Sequence, residues 1–236
     1  MNASNFIYKS DVLYGVKGYY VDPTVFLKTY AKLDNVERKS MVYHYIMDNS
    51  PFAFTEIYEK PLLFEQIRQY ISYILDVNIN HIKLIGSTKT GFKMDSHNYG
   101  ADYKKESDLD FMIIDDSLYN KLSQEFIIWK QAYHDGSMKP HTDKEMAYWD
   151  ENIINLRRNI GLGFIDTNKM PNRQDLLPVN SKVNNTMYMV VRKLQSKHDF
   201  ITKKASMRVY KDIGSYFSQQ NRNINSILRA MGYGEI

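Results

Sequence analysis

Apolar residues along this chain are spaced for helices and strands in alternation, with a long helix to close. Leu62, Ile67, Tyr70, Ile71 and Ile74 recur at three- and four-residue steps behind Pro61, a residue the first turn of a helix tolerates, and predict a helix there. Residues 81–85 read as a short strand that breaks into the small-residue turn 86–91. A polar loop runs to Glu106, and 109–114 reads as a second strand. Leu118, Leu122, Phe126 and Trp129 mark one amphipathic helix. Met146, Trp149, Ile153, Leu156 and Ile160 mark another, ended by Gly161. Residues 163–167 read as a third strand, 187–191 and 206–210 fit strand or helix equally, and 213–231 read as the closing helix. The first fifty residues are less patterned. Residues 14–33 mix aromatics with Gly15, Gly18 and Pro23, and only 36–47 carries helical spacing before 49–52 punctuates the chain. The alternation predicts an α/β or α+β domain.

Composition narrows the class. At 236 residues, 43% hydrophobic and 25% charged, the chain can bury one sizeable core or two small ones, which excludes a disordered tail. No apolar run reaches the roughly 18 residues of a membrane span, so no membrane partner is expected. The first residues lack a basic stretch followed by an apolar one, so no signal peptide is expected either. There is no cysteine, which excludes disulfides, thiolate nucleophiles and thiolate zinc sites and suits a reducing cytoplasm. The six histidines show no metal-ligand spacing. Charge is uneven: from Lys182 onward there are ten Lys or Arg against three Asp or Glu, a balance of +7, and residues 1–181 balance at −3. That basic end is either a solvated face or an anion-binding region, suited to a nucleic acid or oligonucleotide and carried by residues such as Lys203, Lys204 and Arg208.

The candidate chemistry lies in two short segments. Asp108 and Asp110, in Ser107-Asp108-Leu109-Asp110-Phe111, stand at i and i+2 on a strand and so face the same way, a few ångströms apart. Two such carboxylates repel one another unless a cation neutralises them, and hard oxygen donors in this pattern select magnesium. Gly86 and Ser87 end the preceding strand, where backbone amides and a hydroxyl can hold a phosphate, and Gly91 would let the turn approach a ligand closely. A phosphate clamp beside a two-carboxylate metal site is the equipment of nucleotidyl transfer.

Ile85-Gly86-Ser87 with Gly91, followed by Ser107-Asp108-Leu109-Asp110, resembles the signature of the DNA polymerase beta-like nucleotidyltransferase superfamily. The stretch 61–115 is similar to stand-alone bacterial nucleotidyltransferases associated with phage defence and toxin–antitoxin pairs. The likeness covers about residues 61–170. It implies a mixed sheet flanked by helices with helical N- and C-terminal additions, two Mg2+ ions (with Mn2+ able to substitute) and a nucleoside triphosphate donor. It also implies a third carboxylate on a later strand, for which Asp166 is the candidate; Asp115, an odd number of positions from Asp110, would face the other way. Ser87 and Asp108 stand 21 positions apart, so 92–106 is expected to be an inserted loop. Lys89, Lys93, Lys104 and Lys105 there are solvated or meet the triphosphate, and Lys89 is the nucleotide-binding candidate among them.

The expected organisation is an N-terminal extension, 1–60, a transferase core, 61–181, and a basic region, 182–236, in the same compact unit. The expected activity is metal-dependent, template-independent transfer of a nucleoside monophosphate to a hydroxyl, making an oligomer or signal in bacterial defence. The alternatives are nucleotidylation of a protein hydroxyl, with an effector or toxin protein as partner, and a nucleotide-binding module without catalysis. Tyr210, Tyr216 and Tyr233 are candidates for a self-priming hydroxyl.

Overall fold

The computed structural model describes residues 11–14 and 16–233. In chain order the helices and strands are α1 (Asp11–Tyr14), α2 (Pro23–Ala31), α3 (Asn35–Val42), α4 (Pro61–Leu75), β1 (Ile82–Ile85), α5 (Ser87–Thr90), β2 (Leu109–Ile114), α6 (Asp116–His134), α7 (Asp143–Gly161), β3 (Phe164–Asp166), α8 (Pro178–His198), β4 (Ala205–Tyr210) and α9 (Ile213–Ala230). Wide π-helical turns follow α3 at Tyr43–Asp48 and precede α4 at Ala53–Ile57. The fold is mixed α/β, with one four-stranded mixed sheet flanked by helices. The chain forms two compact units: Met1–Pro61, Ile85–Lys104 and Gln220–Ile236 make one, and Leu62–Leu84 with Lys105–Gln219 make the other.

The sheet-bearing unit has strand order β1-β2-β4-β3. Strand β4 runs parallel to β2, pairing Asp110 with Ser206 and Met112 with Arg208, and antiparallel to β3, pairing Asp166 with Arg208. Successive side chains alternate across a strand. Leu109, Phe111, Ile113, Ile165, Met207 and Val209 therefore share one face, and all six are fully buried. The helices follow from their apolar spacing. All four of the residues that predicted α6 are buried, and Asp115 begins that helix by accepting the Leu118 amide at 2.7 Å. The N-cap residue of α8, Leu177, has no capping side chain. The buried Glu125 of α6 fills that role by accepting the Val179 and Asn180 amides at 2.7 and 2.8 Å. One prediction shifts at its edge: helix α4 buries Leu63, Phe64, Ile67, Ile71 and Leu75, leaving Leu62 and Tyr70 exposed. Helix α7 ends at Gly161, where the sequence predicts, and Gly163, at φ +82°, turns the chain toward β3.

In the other unit, Asp22 caps α2 through the Thr24 and Val25 amides, and Asp34 with Glu37 closes a capping box on α3. Tyr30 donates to Asn221 Oδ1 at 2.8 Å, tying α2 to α9. The segment 92–106, expected as a solvated insertion, is folded: Phe92 bridges Asp102, and Tyr99 donates to the Pro23 carbonyl at 2.6 Å. Phe92 itself is buried and packs edge-on to Phe26.

Candidate active site

The polar side of the sheet lies opposite the buried face. Asp108 immediately precedes β2, and Asp110 is its second residue, so the two carboxylates face the same way, as the i, i+2 spacing predicts. Asp108 is exposed and Asp110 half-buried. Ser206, directly opposite on β4, donates to Asp110 Oδ1 at 2.6 Å. The Leu109 amide bonds the Lys204 carbonyl at 3.0 Å, which continues the β2–β4 register by one step and sets Lys204 opposite Asp108. Desolvation by the surrounding protein raises the Asp108 pKa above its ordinary value; the Lys204 ammonium opposes that rise and the Asp110 charge adds to it.

Asp166 shares this face but stands one strand further on, beyond β4. Its Oδ1 accepts from Arg208 Nε at 2.6 Å and its Oδ2 from Asn159 Nδ2 at 3.0 Å. Arg208 also lies over the Phe164 ring, 4.8 Å from its centroid. Asp166 is thus the acid of an ion pair fastening β3 to β4. No group of three or more His, Asp or Glu side chains suited to a metal forms among the described residues. Asp166 was expected to supply a third metal carboxylate; in this structure both of its oxygens hold charge-assisted bonds to protein groups.

Two residues of the turn after β1 that were expected at the nucleotide are engaged within the protein. Lys89 is 2% exposed, and its ammonium donates to the carbonyls of Met47 and Asn49, so it fastens α5 to the N-terminal segment. Gly91 ends α5 at φ +87°, and a Cβ there would lie 3.0 Å from the Phe52 ring. The room above this glycine is filled by Phe52, not left for a ligand. Gly86 holds φ +70° between β1 and Ser87, a conformation that favours glycine, and Ser87 opens α5. These turn residues belong to one unit and the carboxylates to the other.

The charged C-terminal region is corrected in part. Arg208 is committed to Asp166, whereas Lys203 and Lys204 are exposed. Tyr210 and Tyr216 are fully buried and pack edge to face, which removes both as self-priming hydroxyls. Ser206 and the pairings of Lys204 and Arg208 were missed. The alternation of polar residues at 204, 206 and 208 with Ala205, Met207 and Val209 was the available signal, and it acquires meaning once 205–210 is known to be a strand.

No family model, curated protein or solved structure matches this chain.

Proposed function

We propose that the chain is a nucleotidyltransferase of the cytoplasm: an acceptor hydroxyl, losing its proton to solvent, bonds the α-phosphorus of a nucleoside triphosphate, and the bond to the β-phosphate breaks to release pyrophosphate. The observation that carries this reading is the Asp108–Asp110 pair: two same-face carboxylates at the start of a strand, one half-buried, that repel one another. Their hard oxygens fit magnesium, which accepts a partial protein shell and keeps positions for water and phosphate oxygens. Magnesium bound there would neutralise charge on the triphosphate and lower the pKa of the accepting hydroxyl. Ser206 fixes the orientation of Asp110 by its hydrogen bond, and Lys204 adds a cation beside Asp108. The ion-paired Asp166 is left outside the reacting group.

The test is incubation of the purified protein with each labelled nucleoside triphosphate and magnesium, beside Asp108→Ala and Asp110→Ala. Label transferred by the native chain and lost by at least a hundredfold in both variants supports the proposal. Soluble oligomers would identify a nucleotide acceptor, and label on protein would identify a protein hydroxyl. A folded native chain that turns over no triphosphate, or variants that keep near-native turnover, would overturn it.

A further inference from the structure

A second site, apart from the carboxylate face, lies between α4 and α8. Leu63, Gln66, Ile67 and Tyr70 of α4 fall at i, i+3, i+4 and i+7, which is one helical stripe. It faces Met189, Val190, Lys193, Leu194 and His198 of α8 across a cleft of about 240 Å³. The floor is aliphatic: Leu63, Ile67, Val190 and Leu194 are all buried. The walls are Tyr70 and Met189, 38% and 40% exposed, an apolar cost a closed helix seam would avoid. Gln66 and Lys193 stand on the facing stripes as exposed polar side chains, where two apolar residues would have filled the seam. Lys193 and His198 are the basic side chains lining it, and among the described residues no carboxylate does.

We infer that this cleft binds a small amphiphilic monoanion: a free medium-chain alkyl carboxylate, with its tail on the aliphatic floor and its head at Lys193 and His198. The volume equals roughly eight water-sized groups at about 30 Å³ each, which suits one short tail and not a two-tailed lipid. The charge selects an anion. The chemistry of the floor disfavours a nucleotide, because it offers aliphatic side chains and not a pair of aromatic faces to hold a base. The inference is independent of the proposed transfer chemistry, so either can fail without the other.

The experiment is calorimetric titration of the full chain with hexanoate, octanoate and decanoate below their micelle concentrations, at fixed ionic strength. Saturable one-site binding is expected. It should tighten about fourfold per added methylene, the ratio that 0.8 kcal/mol per buried methylene gives, and level off once the cleft is full. Octanol and octylammonium should bind at least tenfold more weakly than octanoate, because the charge-assisted contact is lost or reversed. Lys193→Glu, at an exposed position, should weaken octanoate tenfold or more with an unchanged melting temperature. Methyl resonances of Ile67 and Leu194 should shift with octanoate in the native chain. Equal affinity for octanol and octanoate, non-saturable uptake, or octanoate binding indifferent to Lys193→Glu would each overturn the inference.

Discussion

Ser206 and Asp110 sit directly opposite one another on β4 and β2, and the Ser206 hydroxyl donates to the Asp110 carboxylate across 2.6 Å. The same side of β4 carries Lys204 and Arg208, and each residue of this polar row faces one of the acids predicted from sequence: Lys204 faces Asp108, Ser206 faces Asp110 and Arg208 faces Asp166. The three partners differ in what they leave behind. Arg208 neutralises Asp166, whereas a serine orients Asp110 without cancelling its charge. Under the proposed function a cation would therefore be drawn to Asp110 rather than to Asp166.

That difference predicts the behaviour of Ser206→Ala. The variant loses a hydrogen bond to a charged group, worth about 1.5–3 kcal/mol where both partners are buried and less at this half-buried site. Stability in urea should fall by about 1 kcal/mol. Under the proposed function, turnover should fall more than triphosphate affinity, and Ser206→Thr, which keeps the hydroxyl, should restore both. A loss confined to stability would make the bond purely structural.

Asp108→Asn should stabilise the fold, and the gain should depend on pH. A carboxyl whose pKa in the folded state lies above its ordinary 3.8 opposes folding when ionised. The wild-type chain therefore loses stability as pH rises from the ordinary value through the raised one. The asparagine variant should match wild type in acid, where Asp108 is protonated in both states, and exceed it at neutral pH. Thermal melts across that range check the sign. A variant less stable than wild type at neutral pH would show that Lys204 outweighs burial and the Asp110 charge.

Much of the sheet-bearing unit was legible because its signals are local. The stripe Leu118, Leu122, Phe126 and Trp129 predicts α6, and every member is buried. The spacing of Asp108 and Asp110 alone places both on one face. Strand β4 was not legible in this way, because Met187, Val190 and Val191 carry the same apolar density and belong to a helix. Pairing with β2 and β3 decides the matter, and pairing is a property of residues distant in sequence. The partners of Asp166 and Lys89 were not legible for a related reason. An acid after two apolar residues reads as a strand-end ligand, and a lysine in a turn beside Gly86 and Ser87 reads as a phosphate contact. Arg208, 42 positions away, and the Asn49 carbonyl, 40 positions away, give them their partners.

Lys89→Met tests the revised role of that lysine. Its ammonium is buried against the carbonyls of Met47 and Asn49, so methionine fills similar volume while leaving both acceptors without this donor. The cost should be about 1–3 kcal/mol, visible as a lowered denaturation midpoint. Triphosphate binding by the folded variant should be unchanged within twofold. A folded, fully stable Lys89→Met protein that binds triphosphate tenfold more weakly would return Lys89 to the phosphate site.

Asp166 and Arg208 should behave as one unit whose two halves are not equivalent. The Asp166 side chain is 12% exposed and that of Arg208 is 27%, so removing either leaves a poorly hydrated charge behind. Arg208→Met strands the more deeply buried acid and should cost about 3 kcal/mol or more. Asp166→Asn should cost less, because the amide oxygen can still accept from Arg208 and the cation retains the Phe164 ring, 4.8 Å away. The double variant should be less destabilised than the sum of the two, giving a coupling energy of about 1–3 kcal/mol in a double-mutant cycle. Metal affinity supplies the second readout. Asp166→Asn should leave the binding of manganese, a paramagnetic stand-in for magnesium, within about twofold of wild type, whereas Asp110→Asn should weaken it at least tenfold. A tenfold loss in Asp166→Asn, with the fold intact, would restore Asp166 as a ligand and show that its bond to Arg208 opens when a cation binds.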